Sequence, residues 1–440
     1  MSQAKITAWT NQADFRGTFV SNMKVPIHRW FRYPAGFSYS IVEECFRRYK
    51  ITENSLVLDP FVGVGTTCVC AKKLSIESIG VEAHPLASWV ARVKTNWDFD
   101  LDELSEEIDE VLLGIKIAIN EENTIDVTNK PKLLRKCFSE EKLIKLFTIK
   151  KFIDKISYKK AYVRDLCTLA LLGILRKVSI ASTGWPYILP KKRRKKVPDV
   201  FNTYQNQLKM MLSDLKATVT EKNRKVPANI ITGDARKLSN FVNREIDFAF
   251  TSPPYLNNYD YADRTRLELY FLSPVRFGEK LVEFSKWKHL TEHIRKNLIV
   301  SASHQAVELG LSEGLLPKPE IEESVRKKLL EASIKLREEK KRRRGHKNYD
   351  IMVIAYFNDM FVTFEEIYKL MKPGAHYILI LGDSAPYGVH IPTDVYLAKI
   401  ARGVGFSDAK IIVLRKRGDK WQSAPKHNVP LRESMVILKK

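Results

Sequence analysis

The stretch Ser55-Leu56-Val57-Leu58-Asp59-Pro60-Phe61-Val62-Gly63-Val64-Gly65-Thr66-Thr67 decides how this chain folds. Ser55 to Asp59 reads as a short apolar strand ending in a carboxylate. Pro60 to Thr67 is a glycine-bearing turn that opens a helix running through Lys73. Without a Cβ at Gly63 and Gly65, backbone can approach a ligand closely at the carboxyl end of the strand. A second strand, Ser78-Ile79-Gly80-Val81-Glu82, also ends in a carboxylate, and a helix follows around Leu86 to Val93. Strand, glycine turn, helix and acid-tipped strand form the βαβ pattern of a nucleotide-type site.

Outward from this unit, Trp30 to Phe37 and an amphipathic helix near Ser40 to Tyr49 precede it. Residues 96–225 read as mostly helical and basic. The α/β rhythm resumes at Asn229 to Asp234 and at Ile246-Asp247-Phe248-Ala249-Phe250, a buried strand with Thr251 at its end. A second charged, helical interruption covers 273–347. Then come a helix (Phe361 to Met371), a turn at Lys372-Pro373-Gly374, a strand (Tyr377 to Leu381), a helix near Thr393 to Arg402, and closing strands at Ala409 to Leu414 and Ser434 to Leu438. The expected architecture is α/β: a doubly wound sheet assembled from 1–95, 226–272 and 348–440, carrying two mainly helical basic insertions at 96–225 and 273–347.

Composition narrows the partners. The 440 residues carry 74 Lys plus Arg against 51 Asp plus Glu, a formal charge of +23, which favours a polyanion such as nucleic acid. No apolar run has the length of a membrane helix, and the first residues lack the apolar stretch of a signal peptide. Five cysteines show neither zinc spacing nor a dense disulfide pattern. His289 and His293 lie one helical turn apart without the acid of a metalloprotease pattern, so no metal site is expected. These features point to the cytoplasm.

The ligand is narrowed by what the turn lacks. The third glycine of a dinucleotide fingerprint is missing, and so is the Gly-Lys-Ser/Thr of a phosphate-cradling loop, so a ligand without pyrophosphate fits better than NAD or ATP. Glu82 is placed to accept from two ribose hydroxyls, Asp59 suits a cationic ammonium group, and Asp234 suits an adenine amine.

Ser252-Pro253-Pro254-Tyr255 follows the buried strand. Two prolines fix two φ angles and remove two N–H donors. What remains is a rigid turn rich in acceptors: the Ser252 hydroxyl, the Pro253 carbonyl and a tyrosine ring behind them. In isolation this is an ordinary turn; beside a nucleotide-type site it suits gripping an amino group on a flat ring.

These motifs together resemble the S-adenosylmethionine-dependent DNA amino-methyltransferases. Asp59 to Thr66 looks like their motif I, Glu82 motif II, Gly233-Asp234-Ala235 motif III, Thr251 to Tyr255 motif IV, and Tyr33-Pro34-Ala35-Gly36-Phe37 motif X. Leu431 to Leu438 is similar to the final strand of the group. The resemblance implies a Rossmann-like methyltransferase fold, S-adenosylmethionine as cofactor, contacts to it from Phe37, Asp59, Phe61, Gly63, Gly65, Thr66, Glu82 and Asp234, and double-stranded DNA as substrate. It also implies prokaryotic modification protecting DNA from a companion restriction endonuclease.

An exocyclic base amine is a poor nucleophile because its lone pair is delocalised into the ring. Acceptors at Ser252 and Pro253 would localise that pair, and Tyr255 would stack on a base rotated out of the duplex. Serine at 252 resembles the cytosine-N4 branch; adenine-N6 transfer, an RNA base substrate and a non-catalytic regulator remain alternatives. The chain has no Pro-Cys pair, which argues against transfer to cytosine carbon 5. The basic run containing Lys191, Lys192, Arg193, Arg194 and Lys195 is read as a loop contacting DNA phosphates, and the insertions as opposing walls of a DNA cleft. Leu256 to Tyr261 would line the base pocket or cap the next helix. Gly382-Asp383-Ser384 would close the pocket or form a tight turn.

Overall fold

A computed structural model describes residues 6–8, 21–33, 36–121, 125–183, 188–257, 260–277, 280–417 and 431–440. Pro34 and Ala35 of the Tyr33 to Phe37 motif, and Asn258 and Tyr259 after the proline turn, lie outside the described residues.

Within the described residues the strands are β1 (Ile6–Ala8), β2 (Leu56–Asp59), β3 (Glu77–Glu82), β4 (Ala181–Ser182), β5 (Leu189–Arg193), β6 (Ala228–Thr232), β7 (Ile246–Thr251), β8 (Val275–Phe277), β9 (Lys280–Val282), β10 (Met371–Gly382), β11 (Asp408–Arg417) and β12 (Leu431–Lys439). Eight of them make one sheet in the order β1-β11-β12-β10-β7-β2-β3-β6. Pairing is parallel except around β12, which runs antiparallel to both β10 and β11. This is the doubly wound α/β sheet read from the sequence. Chain order reverses direction between β2 and β7, which pair in parallel through Val57↔Phe248 and Leu58↔Ala249. A crevice opens outside the carboxyl ends of strands at such a reversal.

Side chains alternate across the sheet, as a pleat requires. Val57, Phe248, Phe250, Ile378, Ile380 and Met435 pack with the helix Tyr39–Arg48. Leu58, Ala249, Leu379, Leu381 and Val436 pack on the opposite face against the helices Tyr349–Leu370 and Thr393–Val404. Strands buried on both faces read as continuous apolar runs, which made them visible in the sequence.

Among the described residues of 96–225, the helices Leu101–Glu121, Glu140–Asp154, Ala161–Val178 and Val200–Thr218 form an apolar core against Leu86, Val90 and Val93, and β4 and β5 lie between the last two. The second interruption makes no core of its own among the described residues. Its helix Glu323–Arg342 buries Val325, Leu329 and Leu336 in the layer containing Tyr349–Leu370.

Three local expectations are corrected. The helix expected from Phe361 begins at Tyr349, because residues 349–357 are all buried and show no amphipathic stripe. Lys372-Pro373-Gly374 is an irregularity inside β10, where the β7 register shifts between Met371 and His376. The basic run at 191–195 is only partly a loop: Lys191 to Arg193 lie in β5, which pairs with β4 as a small antiparallel ribbon, and Arg194 and Lys195 follow it. No helix among the described residues is long and apolar enough to cross a membrane.

Candidate active site

β2 and β7 deliver the glycine turn and the proline turn to the same end of the sheet, and both turns line one pocket. Its walls include Phe37, Phe61, Gly63, Thr66, Glu82, Asp234, Ser252 and Pro254. Tyr33, Tyr261 and Asn297 to Ile299 close upon it, leaving a narrow cavity of about 60 Å³.

The glycine turn is rigid for identifiable reasons. Val62 N–H donates to the Val81 carbonyl at 3.0 Å, and Gly63 N–H donates to Glu82 Oε2 at 2.9 Å. Gly63 and Gly65 hold φ of +53° and +91°, in the left-handed region that favours glycine. At Gly65 an added Cβ would also lie 3.2 Å from the Ala91 Cβ. Gly65 caps the helix Thr66–Lys73, whose N-terminus therefore faces the pocket.

Glu82 is fixed from both sides, since His84 N–H donates to its Oε1 at 2.8 Å. Burial pushes its carboxyl up to about 7, against the lowering effect of those N–H bonds. Asp234 takes Arg236 on both oxygens, and Arg236 also bonds Asp359 at 3.0 Å.

Asp59 departs from expectation. It is fully buried, does not line the pocket, and accepts from Thr67 Oγ1 at 2.5 Å, Thr251 Oγ1 at 2.6 Å and Phe61 N–H at 3.1 Å. Its carboxylate clasps the glycine turn to the end of β7, whereas the sequence reading gave it to an ammonium group. Burial pushes its carboxyl up to about 6, with these bonds opposing.

At the proline turn Ser252 is half-buried and Pro253 buried. Tyr255 does not line the pocket directly; its hydroxyl donates to Glu433 Oε1 at 3.0 Å, and Arg415 Nε donates to Glu433 Oε2 at 2.6 Å. The helix expected from Arg264 to Phe271 is two, Tyr261–Arg264 and Arg266–Leu272, and the segment beyond the turn caps the first. Tyr261 lines the pocket, while Asp260 caps the helix Tyr261–Arg264 and pairs with Arg295 at 2.6 Å and His304 at 2.9 Å. Gly382-Asp383-Ser384 does not reach the pocket. Asp383 bonds His390 at 2.8 Å and takes the Arg432 N–H at 2.6 Å.

Sequence reasoning missed three contributions and left a fourth open. Tyr33 begins the motif from which only Phe37 was chosen, and Tyr261 stands in a stretch left open between two roles. Asn297 to Ile299 and Glu433 carry no local signal, because long-range packing brings them in. Of the basic run, Arg193 bonds the Lys136 carbonyl and Arg194 bonds the carbonyls of Arg176, Lys177 and Ser179, while Lys191, Lys192 and Lys195 are exposed.

The DNA methylase family matches residues 8–88, spanning the Tyr33 to Phe37 motif, the glycine turn and Glu82. The chain is 26% identical to type II methyltransferase M.BsoBI of Geobacillus stearothermophilus, over 96% of this chain and 87% of that protein. It is 25% identical to M.AvaI of Nostoc sp. (90% and 82% covered) and 22% identical to M.MvaI of Kocuria varians (88% and 83%). The chain resembles the DNA methylase family over residues 8–88 and type II methyltransferases over most of its length. A methylase needs a donor site and an acceptor site within reach of each other, and in this chain the two turns line one pocket.

Proposed function

We propose that this protein transfers a methyl group from S-adenosylmethionine to the N4 amine of cytosine in duplex DNA, after the base rotates out of the helix. The reading rests on one observation: the glycine turn and the Ser-Pro-Pro turn leave adjacent parallel strands and line a common pocket. S-adenosylmethionine, when bound, supplies an electrophilic methyl group on a sulfonium.

The donor set suits such a ligand. Glu82 presents fixed acceptors for vicinal hydroxyls, and Phe61 offers an apolar face to a flat ring. Asp234, oriented by Arg236, accepts from an exocyclic amine, while Phe37, Gly63, Gly65 and Thr66 allow close approach. At the acceptor side, the Ser252 hydroxyl and Pro253 carbonyl accept from the amine N–H bonds and draw it towards tetrahedral geometry. Positioning and these fixed dipoles supply the acceleration. Pro254 keeps the turn rigid, and Tyr255, braced by Glu433, stacks on the extruded base. Lys191, Lys192 and Lys195 reach the DNA backbone from an exposed ribbon. Modification in the prokaryotic cytoplasm protects the host from a companion restriction endonuclease, in keeping with relatives named type II methyltransferases.

Incubating the protein with labelled S-adenosylmethionine and duplex DNA, then digesting to nucleosides, tests the proposal. N4-methylcytosine is expected. N6-methyladenine alone would move the assignment to the adenine branch, and label in structured RNA but not in duplex DNA would overturn the substrate.

A further inference from the structure

A second cavity, about 500 Å³ in volume, lies beside the candidate active site and shares Tyr33 with it as a wall. Six cationic side chains line it: Arg29, Arg32, Arg176, Lys177, Arg194 and Arg264. Among the described residues one carboxylate, Glu268, lines it with them. The cations come from three parts of the chain: the segment before Tyr33, the first helical insertion, and the helix region after the proline turn.

Their commitments differ. Arg29 is neutralised from behind by Asp214, and Arg176 pairs with Glu268 at 2.7 Å. Lys177 donates to Gln207 Oε1 at 2.7 Å, and Arg194 donates to three carbonyls, so neither meets a carboxylate among the described residues. Arg32 is exposed and bonds nothing among the described residues. Like charges around one cavity repel one another, and burial already holds the Lys177 ammonium below its ordinary value. An anion entering the cleft relieves both costs.

Tyr33 is the wall common to this cleft and the pocket lined by Ser252. A base extruded towards Ser252 would bring its sugar and flanking phosphates near that wall. We infer that the cleft between the Arg29 to Tyr33 segment and the end of the helix Ala161–Val178 holds the DNA phosphates flanking the extruded nucleotide, with Arg32 as a direct phosphate ligand. The exposed ribbon at Lys191 to Lys195 then contacts more distant backbone. This assignment rests on the methyltransferase reading and adds where the substrate strand lies.

Arg32 provides the test, because its exposure makes misfolding an unneeded explanation. Affinity for a duplex oligonucleotide is measured by anisotropy at several salt concentrations for the full-length wild type, Arg32→Ala and Arg32→Lys, with S-adenosylmethionine affinity read by calorimetry. Each phosphate contact contributes about 0.9 to the slope of log affinity against log salt. Arg32→Ala should flatten that slope by roughly this amount and raise the DNA KM several-fold. Cofactor affinity should be unchanged, and Arg32→Lys should restore most of the slope. A wild type that methylates DNA beside an Arg32→Ala protein with the same slope and KM overturns the cleft assignment alone. A wild type that neither binds nor methylates duplex DNA overturns the assignment together with the function it rests on.

Discussion

The Tyr255 hydroxyl donates to Glu433 across 178 positions of sequence, at 3.0 Å, and joins the proline turn to the antiparallel strand β12. Glu433 is 2% exposed and also takes Arg415, so one buried carboxylate orients the ring behind the acceptor turn. Glu433→Ala strands two donors and should cost about 1–3 kcal/mol of stability. It should also lower kcat by more than it changes cofactor affinity. Glu433→Gln keeps an acceptor and should fall between. Thermal melts with single-turnover methylation check both, and an unchanged kcat in the alanine variant would mean that the brace does not serve the reaction.

Asp59 was legible as a strand-end acid but not as a clasp. A carboxylate at that position looks the same in sequence whether it faces a ligand or hydroxyls eight and 192 residues away. The two roles predict different losses. As a clasp, Asp59→Ala leaves two buried hydroxyls and an N–H without their acceptor, and should destabilise the fold by about 2–4 kcal/mol. It should weaken cofactor and DNA binding together. A ligand contact would weaken cofactor binding and spare the melting temperature. Denaturant titration beside calorimetry separates the outcomes.

The glycines of the turn should not be equivalent. Both need positive φ, which costs an L side chain about 1 kcal/mol. At Gly63 a Cβ would meet only the Tyr33 ring at 3.6 Å, whereas at Gly65 it meets Ala91 Cβ at 3.2 Å and Cα at 3.3 Å. The Ala91 Cα is backbone and gives little. Gly65→Ala should therefore lower the melting temperature more than Gly63→Ala. Equal effects would place the constraint in φ alone.

The sheet was readable because strands sandwiched between helices show as apolar runs bounded by turn residues, and the glycine and proline turns mark the strand ends. What escaped was of two kinds. The first half of the helix Tyr349–Leu370 is buried on all sides, so no stripe announced it. β1 spans only Ile6–Ala8 and gains its place by pairing with β11. The other kind is partnership at a distance: Glu433 with Tyr255, Arg295 with Asp260, and Asn297 to Ile299 over the pocket. No local spacing encodes such contacts, because the intervening chain must fold before they exist.

Glu82 gives the site a pH dependence whose sign follows from its environment. Burial raises its carboxyl to about 7, so above that pH it is ionised and accepts fully from ligand hydroxyls, and below it the group increasingly carries a proton. Cofactor affinity should hold from pH 8.5 to about 7.5 and then weaken as pH falls, approaching tenfold per unit below 7 if only the ionised form binds. Glu82→Gln should bind weakly with a flat profile. Calorimetry across pH 6 to 8.5 checks this; a wild-type profile as flat as the variant's would remove Glu82 from the cofactor contacts.

Ser252 carries the sharpest demand on the proposed chemistry. Its hydroxyl and the Pro253 carbonyl are the acceptors that would localise the lone pair of the target amine, and only the hydroxyl can be removed by substitution. Losing one fixed dipole aimed at charge developing in a transition state lowers kcat by about 10²–10³. Ser252→Ala leaves the two prolines in place, so the turn should keep its shape. Cofactor affinity, set mainly across the pocket at Glu82 and Phe61, should change little. The expected signature is a low kcat with near-native cofactor binding and melting temperature. Ser252→Asn separates geometry from chemistry, because its amide oxygen can accept from the same N–H while its larger side chain narrows the pocket. Partial recovery over alanine argues for an acceptor at this position, whereas an alanine variant with wild-type kcat would leave Pro253 as the sole acceptor and remove Ser252 from the reaction.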